Sequence, residues 1–261
     1  MSHTALYRKY RPEKFEDVVG QDHVVTALTG AMEKEKIAHA YLFSGSRGIG
    51  KTSIARIFAR EIGTTENDLY EIDAASNRGI DDIRAIREAV NTLPFESRYK
   101  VYIVDEVHML TKEAFNALLK TLEEPPAHVI FILATTEIEK LPDTIVSRCQ
   151  TFDFKRPTAN ILSDVVKKIA KKEGYTIDEQ VADLIARLGS GAYRDTLGIL
   201  QKVIASSTDK KITFEDTEEI LGTPPTKNIH DFITAFFENN PELGISAIQK
   251  SAEKGVNIHL F

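Results

Sequence analysis

One eight-residue stretch, Gly45 to Thr52, constrains what this chain can fold into more than any other. It matches the phosphate-loop pattern of glycine, four residues, glycine, lysine and threonine at every fixed position. The apolar run 40–43 before it predicts a strand, and the run 53–62 after it predicts a helix. Because strand, loop and helix are the context that such a loop requires, we predict a nucleotide site. A glycine-rich turn that binds nothing is the alternative.

Each residue type in this stretch has a chemical reason. Glycines let successive backbone N–H groups point at phosphate oxygens, and the helix that follows adds its positive N-terminal end. Lys51 can reach the β- and γ-phosphates, and the Thr52 hydroxyl can bind Mg²⁺. The residues predicted to hold the nucleotide are therefore Gly45, Ser46, Arg47, Gly48, Ile49, Gly50, Lys51, Thr52 and Ser53.

Strand and helix patterns alternate through the first part of the chain. Continuous apolar runs predict strands covered on both faces at 101–104 and 129–133, and the segments 68–72 and 150–154 are also predicted to be strands. Runs with apolar residues at helical spacing lie between them. This order predicts an α/β fold with a parallel sheet sandwiched by helices.

From residue 155 onward the sequence contains only helical patterns, interrupted at Leu221-Gly222-Thr223-Pro224-Pro225. We therefore predict a nucleotide-binding α/β domain at 1–154, a helical lid at 155–222 and the start of a helical third domain at 223–261. Two helices are too few to close a core of their own, so we expect this last domain to be completed elsewhere.

Composition narrows the class of protein. Hydrophobic residues make up 42% and charged residues 28%, as in ordinary globular proteins, and no apolar run approaches the ~20 residues of a membrane span. Cys149 is the only cysteine, which excludes an intrachain disulfide and a cysteine zinc site and leads us to expect a reducing, cytoplasmic compartment. The net charge of −6 argues against a surface coated with phosphate-binding cations but leaves a local basic surface open.

Two adjacent carboxylates, Asp105 and Glu106, come directly after the predicted buried strand at 101–104. In phosphate-loop ATPases the first would hold Mg²⁺ and the second would polarise the attacking water. Most acidic pairs after a strand are solvated turn residues, but the intact phosphate loop upstream favours the catalytic interpretation. Water as the nucleophile, and hence hydrolysis, is the prediction.

Three further positions carry polar side chains. Thr136 ends a buried strand and is suited to contact the γ-phosphate or the attacking water, and Arg194 opens a predicted helix from which it could reach phosphates. Arg148 lies in Ser147-Arg148-Cys149, after a short segment that begins with Pro142. Each has an ordinary structural interpretation when taken alone: a strand-end threonine, a surface arginine and a surface charge pair.

Together these residues resemble the clamp-loader branch of the AAA+ ATPases, and the similarity covers nearly the whole chain. Ser147-Arg148-Cys149 is particularly specific, because it separates clamp loaders from most other AAA+ proteins. The other segments that resemble the family, besides the phosphate loop, are Tyr10-Arg11-Pro12, Val19-Gly20-Gln21, Glu71-Ile72-Asp73-Ala74-Ala75-Ser76, Asp105-Glu106-Val107-His108-Met109-Leu110, 115–126 and Leu133-Ala134-Thr135-Thr136.

The resemblance implies a reaction, cofactors and partners. It implies ATP hydrolysis with Mg²⁺, in a five-membered ring of clamp-loader subunits that opens a sliding clamp and binds primer–template DNA. The core of DNA polymerase III is a further implied partner, through regions outside this sequence. The implied residue roles are adenine-side contacts for Arg11 and Val19, the first sensor for Thr136, the second sensor for Arg194, an arginine finger acting in the neighbouring subunit's site for Arg148, and DNA contacts for Arg78 and Arg84.

One departure from the family and two alternative functions qualify this interpretation. Bacterial members usually carry a cysteine-rich zinc module where this chain has only Gly63-Thr64-Thr65-Glu66-Asn67-Asp68, so no zinc is expected. Another AAA+ motor, such as a branch-migration helicase, is the first alternative, and Ser147-Arg148-Cys149 argues against it. The second is a non-hydrolysing structural subunit, which would have no need of Lys51, Thr52, Asp105 and Glu106.

Overall fold

The chain forms two units in the computed structural model, which describes residues 4–77, 79–207, 209–223 and 226–253. One unit is Tyr10–Pro157. The other contains the described residues up to Lys9 and those from Thr158 onward.

A five-stranded parallel sheet forms the centre of the first unit. Its strands lie in the order β2-β3-β4-β1-β5, as predicted for a parallel α/β fold. β1 and β4 are buried at every position because they lie inside the sheet, whereas the edge strands β2 and β5 are largely exposed. The strand bounds are β1 Ala40–Ser44, β2 Leu69–Asp73, β3 Lys100–Asp105, β4 Val129–Thr135 and β5 Gln150–Asp153.

Helices cover both faces of this sheet, which confirms the predicted sandwich. Alternate residues of a strand point to opposite faces. Thus Tyr102 and Val104 pack in one apolar cluster, and Val101 and Ile103 pack in another. The helices of this unit are α2 Asp22–Glu33, α3 Lys51–Glu61, α4 Ile80–Ala89, α5 Lys112–Glu123 and α6 Asp143–Val146, with 3-10 helices at Phe15–Asp17, Glu66–Asp68, Val107–Met109 and Ile138–Lys140.

The second unit is mainly helical. Its helices are α1 Leu6–Lys9, α7 Ala159–Lys172, α8 Glu179–Leu188, α9 Tyr193–Ser206, α10 Phe214–Leu221, α11 Thr226–Phe237 and α12 Pro241–Glu253. Two short strands, β6 Thr176–Ile177 and β7 Lys211–Ile212, pair in parallel. The expectation of helices alone was therefore wrong here, because two-residue strands are too short to show a periodic pattern. No described helix combines the length and the apolar composition that crossing a lipid bilayer requires.

The contacts divide the chain differently from the sequence boundary at 154. Residues 155–157 stay with the sheet because the Gln21 side chain bonds the backbone of Lys155 twice, donating to its carbonyl at 2.7 Å and accepting its N–H at 3.2 Å. The N-terminal arm groups with the helical unit because the Leu6 N–H donates to Gln201 and Lys9 pairs with Glu173. The further division into a lid and a third domain stays a prediction.

Candidate nucleotide site

The phosphate loop connects β1 to α3 through backbone conformations that favour glycine. Gly45, Gly48 and Gly50 have φ angles of 135°, 75° and 107°, in the region that side chains disfavour. A Cβ on Gly45 would also lie 2.6 Å from the carbonyl oxygen of Phe154. The backbone therefore favours glycine at all three positions, and the contact with Phe154 adds a steric reason at Gly45.

Lys51 begins α3 and turns its side chain back into the loop. Its Nζ donates to the carbonyl oxygens of Gly45 at 2.7 Å and Ser46 at 3.0 Å, and the residue is buried. Burial lowers the pKa of the ammonium, and the nearby carboxylates of Glu106 and Asp105 oppose that shift. The ammonium thus lies between the loop and the acidic end of β3.

Thr52 and Asp105 join the first turn of α3 to the end of β3. The Thr52 hydroxyl donates to Asp105 Oδ2 at 2.8 Å, and Asp105 Oδ1 accepts the N–H of Glu106 at 3.0 Å. A hydroxyl and a carboxylate that converge in this way are the hard oxygen donors that Mg²⁺ prefers. The donor set therefore fits the metal that the sequence predicted.

Glu106 has a backbone conformation that is unusual for its residue type. Its φ and ψ of 50° and 45° are left-handed, which costs a non-glycine residue about 1–3 kcal/mol. Its Oε2 accepts the Thr136 hydroxyl at 3.0 Å, so two residues that the sequence singled out are in direct contact. Strain of this kind persists where the surrounding structure holds it, and it is concentrated at functional sites.

His108 is a member of this cluster to which the sequence analysis gave no role. Its side chain is almost fully buried, and its Nδ1 lies 2.9 Å from Thr135 Oγ1 and 3.5 Å from Glu106 Oε2. In the sequence, the one signal for His108 was its position two residues after Glu106. Its contacts depend on how β3 and β4 align.

The other residues that were predicted to hold the nucleotide differ in their contacts and exposure. The Arg11 Nε donates to the Ser53 hydroxyl at 2.9 Å, which brings Arg11 to the first turn of α3. The Val19 side chain is exposed, as is Arg47, whereas Ile49 packs in the apolar core. Ile49 can therefore offer a nucleotide its backbone but not its side chain.

Arg156 is a cation beside the loop that the sequence analysis missed. Its Nε donates to the Ser46 hydroxyl at 2.8 Å. No motif marks this position, and its proximity to Ser46 follows from the pairing of β5 with β1.

Comparison with known proteins identifies the family. A family model described as "DNA polymerase III, delta subunit" matches residues 20–77 and 63–158. DNA polymerase III subunit tau of Bacillus subtilis is 44% identical over 276 residues, covering 98% of this chain and 49% of that protein. DNA polymerase III subunit gamma of Buchnera aphidicola is 41% identical over 258 residues, covering 91% of this chain and 70% of that protein. The chain belongs to the DNA polymerase III tau/gamma family.

A solved structure supports the fold. The RuvB Holliday junction branch migration motor of Thermotoga maritima superposes with a TM-score of 0.70 over 87% of this chain and 79% of that chain, at 22% identity. At this identity the likeness shows the fold alone, which is that of an AAA+ phosphate-loop core.

The chain covers only part of the length of the relatives it matches. It spans about half the length of the Bacillus protein. That alignment covers 276 residues, more than the 261 present here, so the Bacillus protein has residues without a counterpart in this chain. The short connection from Gly63 to Asp68, between α3 and β2, is where the sequence analysis predicted that residues are missing.

Arg148 follows α6 in the sheet unit, and its side chain is partly exposed. Its guanidinium donates to the Thr144 carbonyl at 2.7 Å and to Glu123 Oε1 at 2.8 Å, and both partners of the ion pair are partly exposed. Arg148 therefore packs against α5 and α6 of its own chain.

The remaining predicted residues have separate surroundings. Arg194 belongs to the helical unit, where its guanidinium lies 5.3 Å from the centre of the Tyr7 ring. Arg84 is exposed on α4 and pairs with Asp81 at 3.1 Å. Arg78 lies outside the described residues.

Proposed function

We propose that this chain is an ATPase subunit of the replicative clamp loader. In this role it uses ATP binding and hydrolysis to load the sliding clamp on primer–template DNA, as part of the DNA polymerase III holoenzyme. The observation that carries the proposal is the 2.8 Å contact of Thr52 with Asp105, because it joins the phosphate loop to the acidic end of β3. Membership of the tau/gamma family supports the biological setting.

In the proposed site, the loop binds the phosphates of ATP. The backbone N–H groups between Gly45 and Thr52 face the phosphate oxygens, and the N-terminus of α3 adds its dipole. Lys51 would exchange its carbonyl partners for phosphate oxygens, which are stronger acceptors because they are charged. Arg11 and Val19 would contact the adenine side.

Hydrolysis would use the residues at the ends of β3 and β4. Thr52 and Asp105 would hold Mg²⁺, which neutralises the phosphate charge when bound. Glu106 would take a proton from the attacking water while the oxygen of that water bonds to the γ-phosphorus. The bond between the γ-phosphorus and the β–γ bridging oxygen would break in the same reaction and release ADP. Thr136 would give up its bond to Glu106 and donate to the γ-phosphate or to the water.

Two arginines outside the phosphate loop would complete the nucleotide site. We assign Arg194 the second sensor role and Arg148 the role of a finger in the neighbouring subunit's site, within a five-membered ring. Arg78 and Arg84 are our candidates for DNA contacts. The core of DNA polymerase III would bind through regions beyond this sequence, and the protein would act in the cytoplasm without zinc.

The test is the ATPase rate of the chain in its reconstituted ring, with and without clamp and primed DNA. The proposal predicts that clamp and primed DNA raise the rate, and that Lys51→Ala in this subunit removes most of the increase. If a ring with the Lys51→Ala chain hydrolyses ATP as fast as the wild-type ring, this subunit is structural and the proposal is wrong.

A further inference from the structure

His108 is enclosed by polar groups from the ends of two neighbouring strands. It lies in the 3-10 helix Val107–Met109 just after β3, and its side chain is 5% exposed. Its Nδ1 lies 2.9 Å from Thr135 Oγ1 at the end of β4, and its Nε2 lies 3.5 Å from Glu137 Oε1. The ring is therefore anchored mainly by the strand that leads to Thr136.

The contacts around Thr135 hold the ring of His108 in one orientation. Thr135 Oγ1 already accepts the N–H of Glu137 at 3.0 Å, and the residue is fully buried. His108 Nδ1 and the Thr135 hydroxyl share one hydrogen bond, in which either group can donate because the hydroxyl oxygen keeps a second lone pair. Both edges of the ring have a partner, so its orientation is fixed.

A fixed ring restricts the carboxylate of Glu106. Glu106 Oε2 lies 3.5 Å from His108 Nδ1 and accepts the Thr136 hydroxyl at 3.0 Å. The His108 ring and the Thr136 hydroxyl, both held at the end of β4, therefore lie next to the same oxygen of Glu106. The left-handed backbone of Glu106 aims its side chain toward them.

We propose that His108 is a positioning residue for ATP hydrolysis. Thr135 and Glu137 hold the His108 ring, and the ring keeps the Glu106 carboxylate next to the Thr136 hydroxyl. The base and this hydroxyl therefore keep one relative geometry. The inference rests on the proposed function, because it concerns the turnover of ATP at that site. It assigns His108 no contact with ATP or with the attacking water, so nucleotide affinity should not depend on it.

The test compares three histidine variants in the assembled ring with clamp and primed DNA. His108→Leu should slow single-turnover hydrolysis roughly 10-fold to 10²-fold, the scale for a misplaced catalytic group, while ATP affinity stays within about twofold. His108→Asn should recover most of the rate, because its amide can either donate to the Thr135 hydroxyl or accept from it. The matched control is His128→Leu. It removes the hydrogen bonds between His128 Nε2 and the carbonyls of Val90 and Thr92, and it should leave the rate unchanged.

A double-mutant cycle separates positioning from general damage. If His108 acts through Glu106, His108→Leu should have less than about twofold further effect in a Glu106→Gln background. A wild-type rate for His108→Leu, an equal loss in both backgrounds, or a parallel loss of ATP affinity would each overturn the inference. A wild-type rate for Glu106→Gln alone would instead overturn the proposed function, and with it this inference.

Discussion

Glu106 shows how one residue connects backbone strain to chemistry. Glu106 has a left-handed backbone, and its carboxylate has a different partner from that of Asp105, although the two residues are adjacent in the sequence. Asp105 can then face Thr52 while Glu106 faces Thr136. Adjacent carboxylates with separate partners can take separate roles, as a metal ligand and as a base.

We predict that Glu106→Gln separates ATP binding from turnover. Glutamine keeps the size of the side chain and can still accept the Thr136 hydroxyl, but it cannot take a proton from water. Hydrolysis in the ring should fall about 10²-fold or more, the usual scale for a positioned base, with ATP affinity retained. A variant that loses ATP binding would show that Glu106 is a metal ligand or structural, and the two carboxylate roles would have to be exchanged.

The sequence could single out the residues of the candidate site better than it could predict their contacts. It singled out Lys51, Thr52 and Asp105 by motif spacing, and the structure brings Thr52 and Asp105 into contact. The contacts of His108 and Arg156 were not predictable, because they arise from strand pairing between segments far apart in the chain. No local pattern encodes such pairings.

At the scale of elements, one buried carboxylate orders the connection from α4 to β3. Asp68 accepts the backbone N–H groups of Phe95, Glu96 and Ser97 at 2.6–3.0 Å. Burial alone would raise the pKa of this carboxyl, but the N–H groups of Glu96, Phe95 and Ser97 outweigh it and bring the pKa to about 2. The fold therefore favours the ionised carboxylate.

This lowered pKa predicts how stability depends on pH. Because the folded pKa of Asp68 lies below its unfolded value of about 3.9, its contribution is complete above that value and is lost as pH falls toward 2. We expect Asp68→Asn to be less stable than wild type at pH 7, with a difference in unfolding free energy that shrinks below about pH 4.

Urea denaturation of both proteins between pH 3 and pH 7 measures this difference. A difference that stays constant across that range would contradict the account, since it would mean that the charge of Asp68 contributes nothing to stability. Equal stability at pH 7 would show that the three backbone bonds do not need the carboxylate.

The elements that the sequence predicted well are those whose burial repeats along the chain. The runs 101–104 and 129–133 lie within β3 and β4, because strands covered on both faces must be apolar throughout. The N-terminal arm was harder to place. Its grouping with the helical unit depends on contacts such as Leu6 with Gln201, and sequence proximity alone favoured the sheet domain.

At the scale of the whole molecule, the proposed function requires one subunit to complete the nucleotide site of another. A transition state for γ-phosphoryl transfer spreads charge over its oxygens, and an inserted arginine contributes on the order of 10³–10⁵ in rate. Arg148 is bound to Glu123 of its own chain through a partly exposed ion pair. Such pairs contribute only about 0–1 kcal/mol, so exchanging Glu123 for a neighbour's phosphate is energetically easy.

A mixing experiment tests the action of Arg148 in trans. A ring subunit with Lys51→Ala lacks a working site but keeps its arginine, and one with Arg148→Ala has the reverse. Neither should hydrolyse ATP well alone, and activity should reappear where the first subunit donates Arg148 to the second. Normal hydrolysis by Arg148→Ala without a partner, or no recovery on mixing, would show that Arg148 is not the finger.

The central claim is that the loop from Gly45 to Thr52 binds ATP through Lys51, and ATP affinity measures it most directly. We predict that Lys51→Ala, folded by circular dichroism, binds ATP at least roughly 10- to 100-fold more weakly than wild type, because charge-assisted bonds to phosphate are each worth about 1.5–3 kcal/mol. The matched control is Lys100→Ala, since Lys100 is also a buried lysine that donates to backbone carbonyls. That variant should lose stability and keep its affinity. Wild-type affinity in a folded Lys51→Ala protein would contradict the account.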